Sequence, residues 1–347
     1  ARKSRGLGDV YKRQTKYYYF MSQNKKICVV GASGLVGSSI VRLALEKGYF
    51  VNGTLRDKSD ISKVKYLTKL KNSHNLYLFD ANMDNEKDFI SPLQDTDAVF
   101  IACLTPTYKG KDGTPAKEMD DERGYKEIIN PTVDGCLNII KIAKYHNIKN
   151  VVICSSTSST NPVPPVKFKN EIDHWSDEKE QCRSKKYTSA TKTVMEKAAI
   201  KYCEENDIRL SIILPTGLYG DPVLPSHLNH NPFIWLKRVI EGGNPRHEKI
   251  PNDSASMIHL RDLAKIFLAV YENPNASGRY FGVYKSLHWY DIYNECRKLI
   301  PNMNMPITFS DKPVEPTGFD FTRRDSLKVH IRDFSTTLKE TINWLKT

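Results

Sequence analysis

The stretch KICVVGASGLVGSSIVRLALEKG, Lys26 to Gly48, decides the fold. Five residues, four of them apolar or thiol-bearing, read as a buried strand. Three glycines follow at Gly31, Gly34 and Gly37, and an amphipathic run opens straight after them. Gly31 permits the tight turn, Gly34 lets a pyrophosphate approach the backbone, and Gly37 lets the helix pack against the strand. The free N–H groups at such a helix start face phosphate. Ser33, Leu35 and Val36 occupy the same loop.

Outward from this unit the same alternation continues. Strands are expected at 26–30, 50–56, 75–81, 98–104, 150–156 and 210–215, with helices at 36–47, about 60–70, 85–91, 122–147 and about 188–206. This pattern predicts an α/β protein with a Rossmann-type, doubly wound parallel sheet. After 215 the texture changes: PTGLYGDPVLPSHLNHNP reads as a long structured loop, followed by a helix (233–241), a strand (256–260), a helix (262–272), a strand (279–283) and two helices (288–299, 335–346). We therefore divide the chain into a dinucleotide-binding domain, 25–215, and a smaller C-terminal substrate lobe, 216–347.

Residues 1–14, ARKSRGLGDVYKRQ, resemble a translated adapter scar ahead of Met21, so 1–20 is set apart as a leader. They carry five Lys/Arg and one Asp, a net +4, so the formal charge of +12 over the 347 residues falls to +8. The remaining lysines are scattered, with no basic helix and no aromatic-basic motif, which argues against nucleic acid as partner. No apolar run reaches the roughly 20 residues of a membrane span. Seven dispersed cysteines, without CxxC or a His pair at ligand spacing, point to reduced thiols in the cytoplasm and to no metal.

Cofactor choice is read at the end of the second strand, GTLRDKSD. An acid there suits NAD and a cation suits the 2′-phosphate of NADP. Arg56 and Lys63 favour NADPH, with neighbouring Asp57 as a competing surface partner. Asp80 and Ala81 end the third strand near where the adenine would lie.

Reduction of a carbonyl requires a proton for its oxygen. Ser156, at the end of the fifth strand, is a candidate donor to that oxygen. In CRSKKYTSATKTVMEKAAI (182–200), Tyr187 and Lys192 are candidates for the acid and its partner. Tyr-x-x-x-Lys would place both on one helical face. Here the spacing is five, so at about 100° per residue the side chains diverge by roughly 140° instead of roughly 40°. The i−4 position holds Thr188. Either an irregular first turn or π-bulge aims Tyr187 inward, or proton transfer is impaired.

The chain resembles an extended short-chain dehydrogenase/reductase, in the dihydroflavonol 4-reductase, cinnamoyl-CoA reductase and aldehyde reductase group. The resemblance covers about 25–345 and is carried by VVGASGLVGSSIV, TLRDKSDISKVKYL, INPTVDGCLNII, VVICSST, TKTVMEKAA, ILPTGLYGDP and IHLRDLAKIFLAVYENPNASGRYF. It implies the dinucleotide glycines at 31, 34 and 37, a 2′-phosphate clamp at Arg56 and Lys63, and an adenine contact at Asp80 and Ala81. It further implies a strand-four loop from Ala102 to Thr105, Ser156 and Lys192 as catalytic residues, and Pro215, Thr216 and Leu218 along the nicotinamide. Asp262 matches a helix-start residue read as an N-cap. Asn161 and His227 are further candidate contacts of a small carbonyl substrate, shaped by 219–232.

Three functions follow: an NADPH-dependent reductase of a ketone or aldehyde; a dinucleotide-binding sensor or scaffold with a displaced tyrosine; or a sugar-nucleotide epimerase, dehydratase or hydroxysteroid dehydrogenase. Monomer and homodimer both remain open.

Overall fold

The computed structural model describes residues 25–347; the leader expected at 1–20 lies outside them. Seven strands form the central sheet: β1 (Lys26–Val30), β2 (Phe50–Leu55), β3 (Leu76–Asp80), β4 (Ala98–Ile101), β5 (Asn150–Cys154), β6 (Arg209–Pro215) and a strand at Gly278–Gly282. Counted from that last strand, the order is 278–282, β6, β5, β4, β1, β2, β3, and every pairing is parallel. The order in which the chain lays down its strands reverses between β1 and β4: β2 and β3 are added on one side of β1, and β4 on the other. That switch point is where open α/β sheets bind ligand, outside the carboxyl ends of the strands.

Strand periodicity divides the core. Cys28, Val30, Val99 and Ile101 join Val151 and Ile153 on one face, packed beneath the helices α1 (Asn130–Tyr145) and α2 (Tyr187–Glu205). Ile27, Val29, Ala98 and Phe100 face the other way, against the helices at Leu35–Glu46 and Leu260–Glu272. Both faces are covered, which explains why these strands read as continuous apolar runs. The apolar faces of α1 and α2 are thus spent on the core of their own chain.

The expected boundary at 215 is corrected by the pairing of Tyr280 with Ile213, which returns the chain to the central sheet. Residues 260–282 supply its seventh strand and one of its covering helices. What remains of the smaller lobe is a three-stranded sheet from 217–219, 254–259 and 285–288, with its own core around Trp235, Met257, Trp289 and Phe334. The expected 122–147 helix is broken near its start by a π-turn at Tyr125–Ile129. Asp262 is not the N-cap of its helix: His259 caps it, Nδ1 accepting from the Arg261 N–H at 3.0 Å. Asp262 is instead fully buried and accepts from the Arg332 N–H at 2.8 Å and from Lys265 at 2.9 Å.

Candidate active site

The glycine turn leaves β1 with Gly31 at φ +85°, where a Cβ would come within 2.8 Å of Cys103 Cβ. A Cβ on Gly37 would sit 2.1 Å from the Gly31 carbonyl oxygen, so the helix can approach the turn only without one. Gly34 is the N-cap of the twelve-residue helix 35–46 and brings no side chain to its N–H groups. An uncapped, backbone-lined helix end fits a pyrophosphate. Ser33, Leu35 and Val36 are half-buried around it.

At the end of β2, Arg56 is exposed. Asp57 makes no ion pair with it among the described residues; its carboxylate accepts from the Ser59 N–H at 2.8 Å and hydroxyl at 2.6 Å. Lys63 is engaged by Asp60 at 2.7 Å, one turn away on the same helix. Asp80 accepts from the Lys58 N–H at the mouth of the crevice, and Ala81 beside it is buried.

Lys192 is buried on α2 and its Nζ donates to the carbonyl of Leu104, in the loop leaving β4. That loop contains Ala102, half-buried, and Thr105, exposed. Burial pushes the Lys192 ammonium below its ordinary range, opposed by nearby Cys154 and Glu196. Ser156 follows β5 in a half-buried turn, where its Oγ accepts from the Ser158 N–H at 3.2 Å. The hydroxyl proton stays available to a substrate oxygen. Pro215, Thr216 and Leu218 line the step from β6 into the smaller sheet.

Tyr187 is not brought to this crevice. It is the first residue of α2, fully buried, with its ring against Gly124, where even a Cβ would come within 2.4 Å of a ring carbon. Its phenol donates to Asp121 at 2.6 Å, lies 3.2 Å from the Met119 carbonyl, and accepts from Lys185 at 3.1 Å. Burial, then the Asp121 carboxylate, push its pKa up, which weakens it as an acid. α2 has no irregular first turn; the π-turn lies instead in the segment before α1, beside Tyr187. Half-buried Thr188 occupies the position four residues before Lys192.

A family model described as NAD dependent epimerase/dehydratase family matches residues 27–283, three quarters of the chain. The chain belongs to that family. The bifunctional dihydroflavonol 4-reductase/flavanone 4-reductase of Malus domestica is 32% identical over 306 residues, 86% of this chain and 83% of that protein. A cinnamoyl-CoA reductase of Medicago truncatula is 32% identical over 327 residues, 92% of this chain and 95% of that one. Among solved structures, yeast methylglyoxal/isovaleraldehyde reductase Gre2 complexed with NADPH superposes with a TM-score of 0.74 at 20% identity, covering 92% of this chain and 98% of that one. Vestitone reductase from alfalfa gives 0.72 at 22%, with the same two coverages. At those identities the likeness is one of fold.

In this epimerase/dehydratase-family chain two further candidates are placed away from an open pocket. His227 is buried and its Nε2 donates to the Ser33 carbonyl at 3.0 Å, so it clasps the glycine turn from the C-terminal lobe. Asn161 is exposed, with its side-chain oxygen held by Lys169 at 2.5 Å. The residue missed in the sequence is Glu196, which forms a buried ion pair with Arg279. A signal existed: Glu196 follows Lys192 by four, which places a carboxylate on the buried face of α2.

Proposed function

We propose that this chain is an NADPH-dependent reductase of a ketone or aldehyde. The observation that carries the reading is Lys192, buried and anchored to the loop after β4, at the switch point beside a glycine turn shaped for pyrophosphate. Relatives named as a dihydroflavonol 4-reductase/flavanone 4-reductase and a cinnamoyl-CoA reductase support the reaction class, and a solved neighbour with NADPH supports the cofactor. NADPH, when bound, supplies the hydride for the carbonyl carbon. The helix start at Gly34 would hold the pyrophosphate, and Arg56 would pair with the 2′-phosphate. The Ser156 hydroxyl donates to the carbonyl oxygen and polarises it. With Tyr187 turned to Asp121, the ionisable donor for that oxygen is the Lys192 ammonium, and its burial makes it a stronger acid. Solvent restores the proton.

The deciding experiment measures NADPH binding and NADPH oxidation side by side over a panel of aldehydes and ketones. Lys192→Ala should lower turnover by about 100-fold or more, within the span assigned to a positioned acid. The placement of Tyr187 favours a second reading, a dinucleotide-binding protein without turnover; tight NADPH binding with no oxidation on any carbonyl would select it. Sugar-nucleotide chemistry is less well supported. Of Arg246, Arg261 and Arg279, the arginines weighed for a second phosphate, Arg279 is bound to Glu196 and Arg261 to Asp221, while Arg246 lies 5.2 Å from the Trp289 ring centroid. Seven free thiols fit a reducing compartment, which we take to be the cytoplasm.

A further inference from the structure

Glu196 lies one helical turn beyond Lys192 and is fully buried. Its Oε2 is 2.8 Å from Arg279 Nε, and its Oε1 accepts the Ser155 hydroxyl. Arg279 uses every remaining guanidinium N–H. Nη1 donates to the carbonyls of Glu171 at 2.8 Å and His174 at 3.2 Å. Nη2 donates to the Ser159 carbonyl at 3.2 Å and hydroxyl at 3.0 Å. The face of the guanidinium lies 3.6 Å from the Trp175 ring centroid. Ser159 in turn donates its hydroxyl to the Ser156 carbonyl at 2.9 Å.

These bonds bracket one residue. Ser155 is tied to the lysine helix through Glu196, Ser159 is tied to it through Arg279, and Ser156 stands between them. A buried ion pair is a poor way to gain stability, because packed apolar side chains of similar volume usually do as well. Its directional bonds are what apolar residues cannot reproduce: five donors in a fixed fork, all satisfied.

We propose that Glu196 and Arg279 form a positioning pair that sets the Ser156 hydroxyl in register with Lys192, and so governs turnover while leaving cofactor binding alone. The proposal rests on the reductase reading. Neither residue touches the reacting atoms in this scheme; both act through the 155–159 turn.

The test uses the full chain and three variants: Arg279→Lys, which keeps the charge and loses the fork; Glu196→Gln; and the double replacement Glu196→Met/Arg279→Met, which keeps volume if a single change fails to fold. For each we would measure kcat and KM on the best carbonyl, the NADPH Kd, the melting temperature, and amide exchange of residues 155–160. Expected is a fall in kcat of about 10- to 100-fold, the scale of a misplaced group. The NADPH Kd should stay within about twofold, and exchange at 155–160 should quicken. Folded variants with wild-type kcat, or with unchanged exchange at 155–160, would overturn the positioning role. A wild-type chain that binds NADPH and reduces nothing overturns the reductase reading, and with it the claim on turnover. In that event the exchange arm still decides whether the pair holds the turn.

Discussion

Replacing Thr188 by Tyr creates the i,i+4 relation to Lys192 that this chain lacks. From the helix geometry, a side chain at 188 diverges from Lys192 by roughly 40°, against roughly 140° for 187. Thr188 is half-buried on the first turn of α2, whereas Tyr187 is fully buried and bonded to Asp121, Met119 and Lys185. A phenol at 188 would meet the Lys192 ammonium, which lowers its pKa, in contrast to the Tyr187 phenol, whose burial and carboxylate neighbour raise it. A well-placed general acid contributes about 10²- to 10⁴-fold. Because Lys192 and Ser156 already carry part of the task, the expected gain in kcat is at the lower end, about 100-fold, or close to 3 kcal/mol of barrier. NADPH binding should be unchanged. The companion Tyr187→Phe keeps the ring against Gly124 and should leave kcat within about twofold, with a lowered melting temperature from the lost Asp121 bond. The assay is steady-state NADPH oxidation beside a fluorescence titration of NADPH. Loss of turnover in Tyr187→Phe with binding intact would refute the reasoning and make Tyr187 the acid. A Thr188→Tyr protein that binds NADPH and turns over no faster would refute the assignment of 188 to the acid's position.

Gly37→Ala should abolish measurable NADPH binding and lower the melting temperature, since its Cβ would meet the Gly31 carbonyl at 2.1 Å and an overpacked site costs roughly 1–3 kcal/mol. Arg56→Ala should cut the preference for NADPH over NADH by about 10- to 100-fold, the value of a charge-assisted contact of about 1.5–3 kcal/mol, read from the ratio of the two Kd values. His227 supplies a pH dependence. Burial, aided by His230, lowers its pKa to about 4, and its Nδ1 has no partner among the described residues. Between about 6.5 and 4 the unfolded chain takes up a proton that the folded one refuses, so stability falls as pH drops through that window. Near pH 5 the loss is about 2 kcal/mol. His227→Gln should therefore show a smaller drop in melting temperature between pH 7 and pH 5 than the wild type; an equal drop would assign the dependence to other groups.

Much of this protein was legible because its signals are local. The apolar runs of β1, β4, β5 and β6, the glycine turn and the arginine ending β2 each depend on residues within a few positions of one another. The readings that needed correction depend on distant partners. Asp262 was read as a cap from its place at a helix start, yet its partner is Arg332, and the cap is His259. The domain boundary moved because 278–282 pairs with a strand more than sixty residues earlier.

By itself the sequence determined a doubly wound sheet, a dinucleotide cradle at its first turn and a lysine one residue out of register with its tyrosine. The physical reason is that backbone freedom at Gly31 and Gly37, burial on both faces of a strand, and the pitch of a helix are properties of short segments. Only the tertiary structure decided where Tyr187 points, since Gly124 makes room for its ring and Asp121, 66 residues away, accepts its hydrogen bond. It also decided that Arg279 belongs to the serine turn and that His227 closes on Ser33, across 194 residues. Those pairings form because burial strips the groups of water, and a buried donor must find whichever acceptor the fold brings beside it.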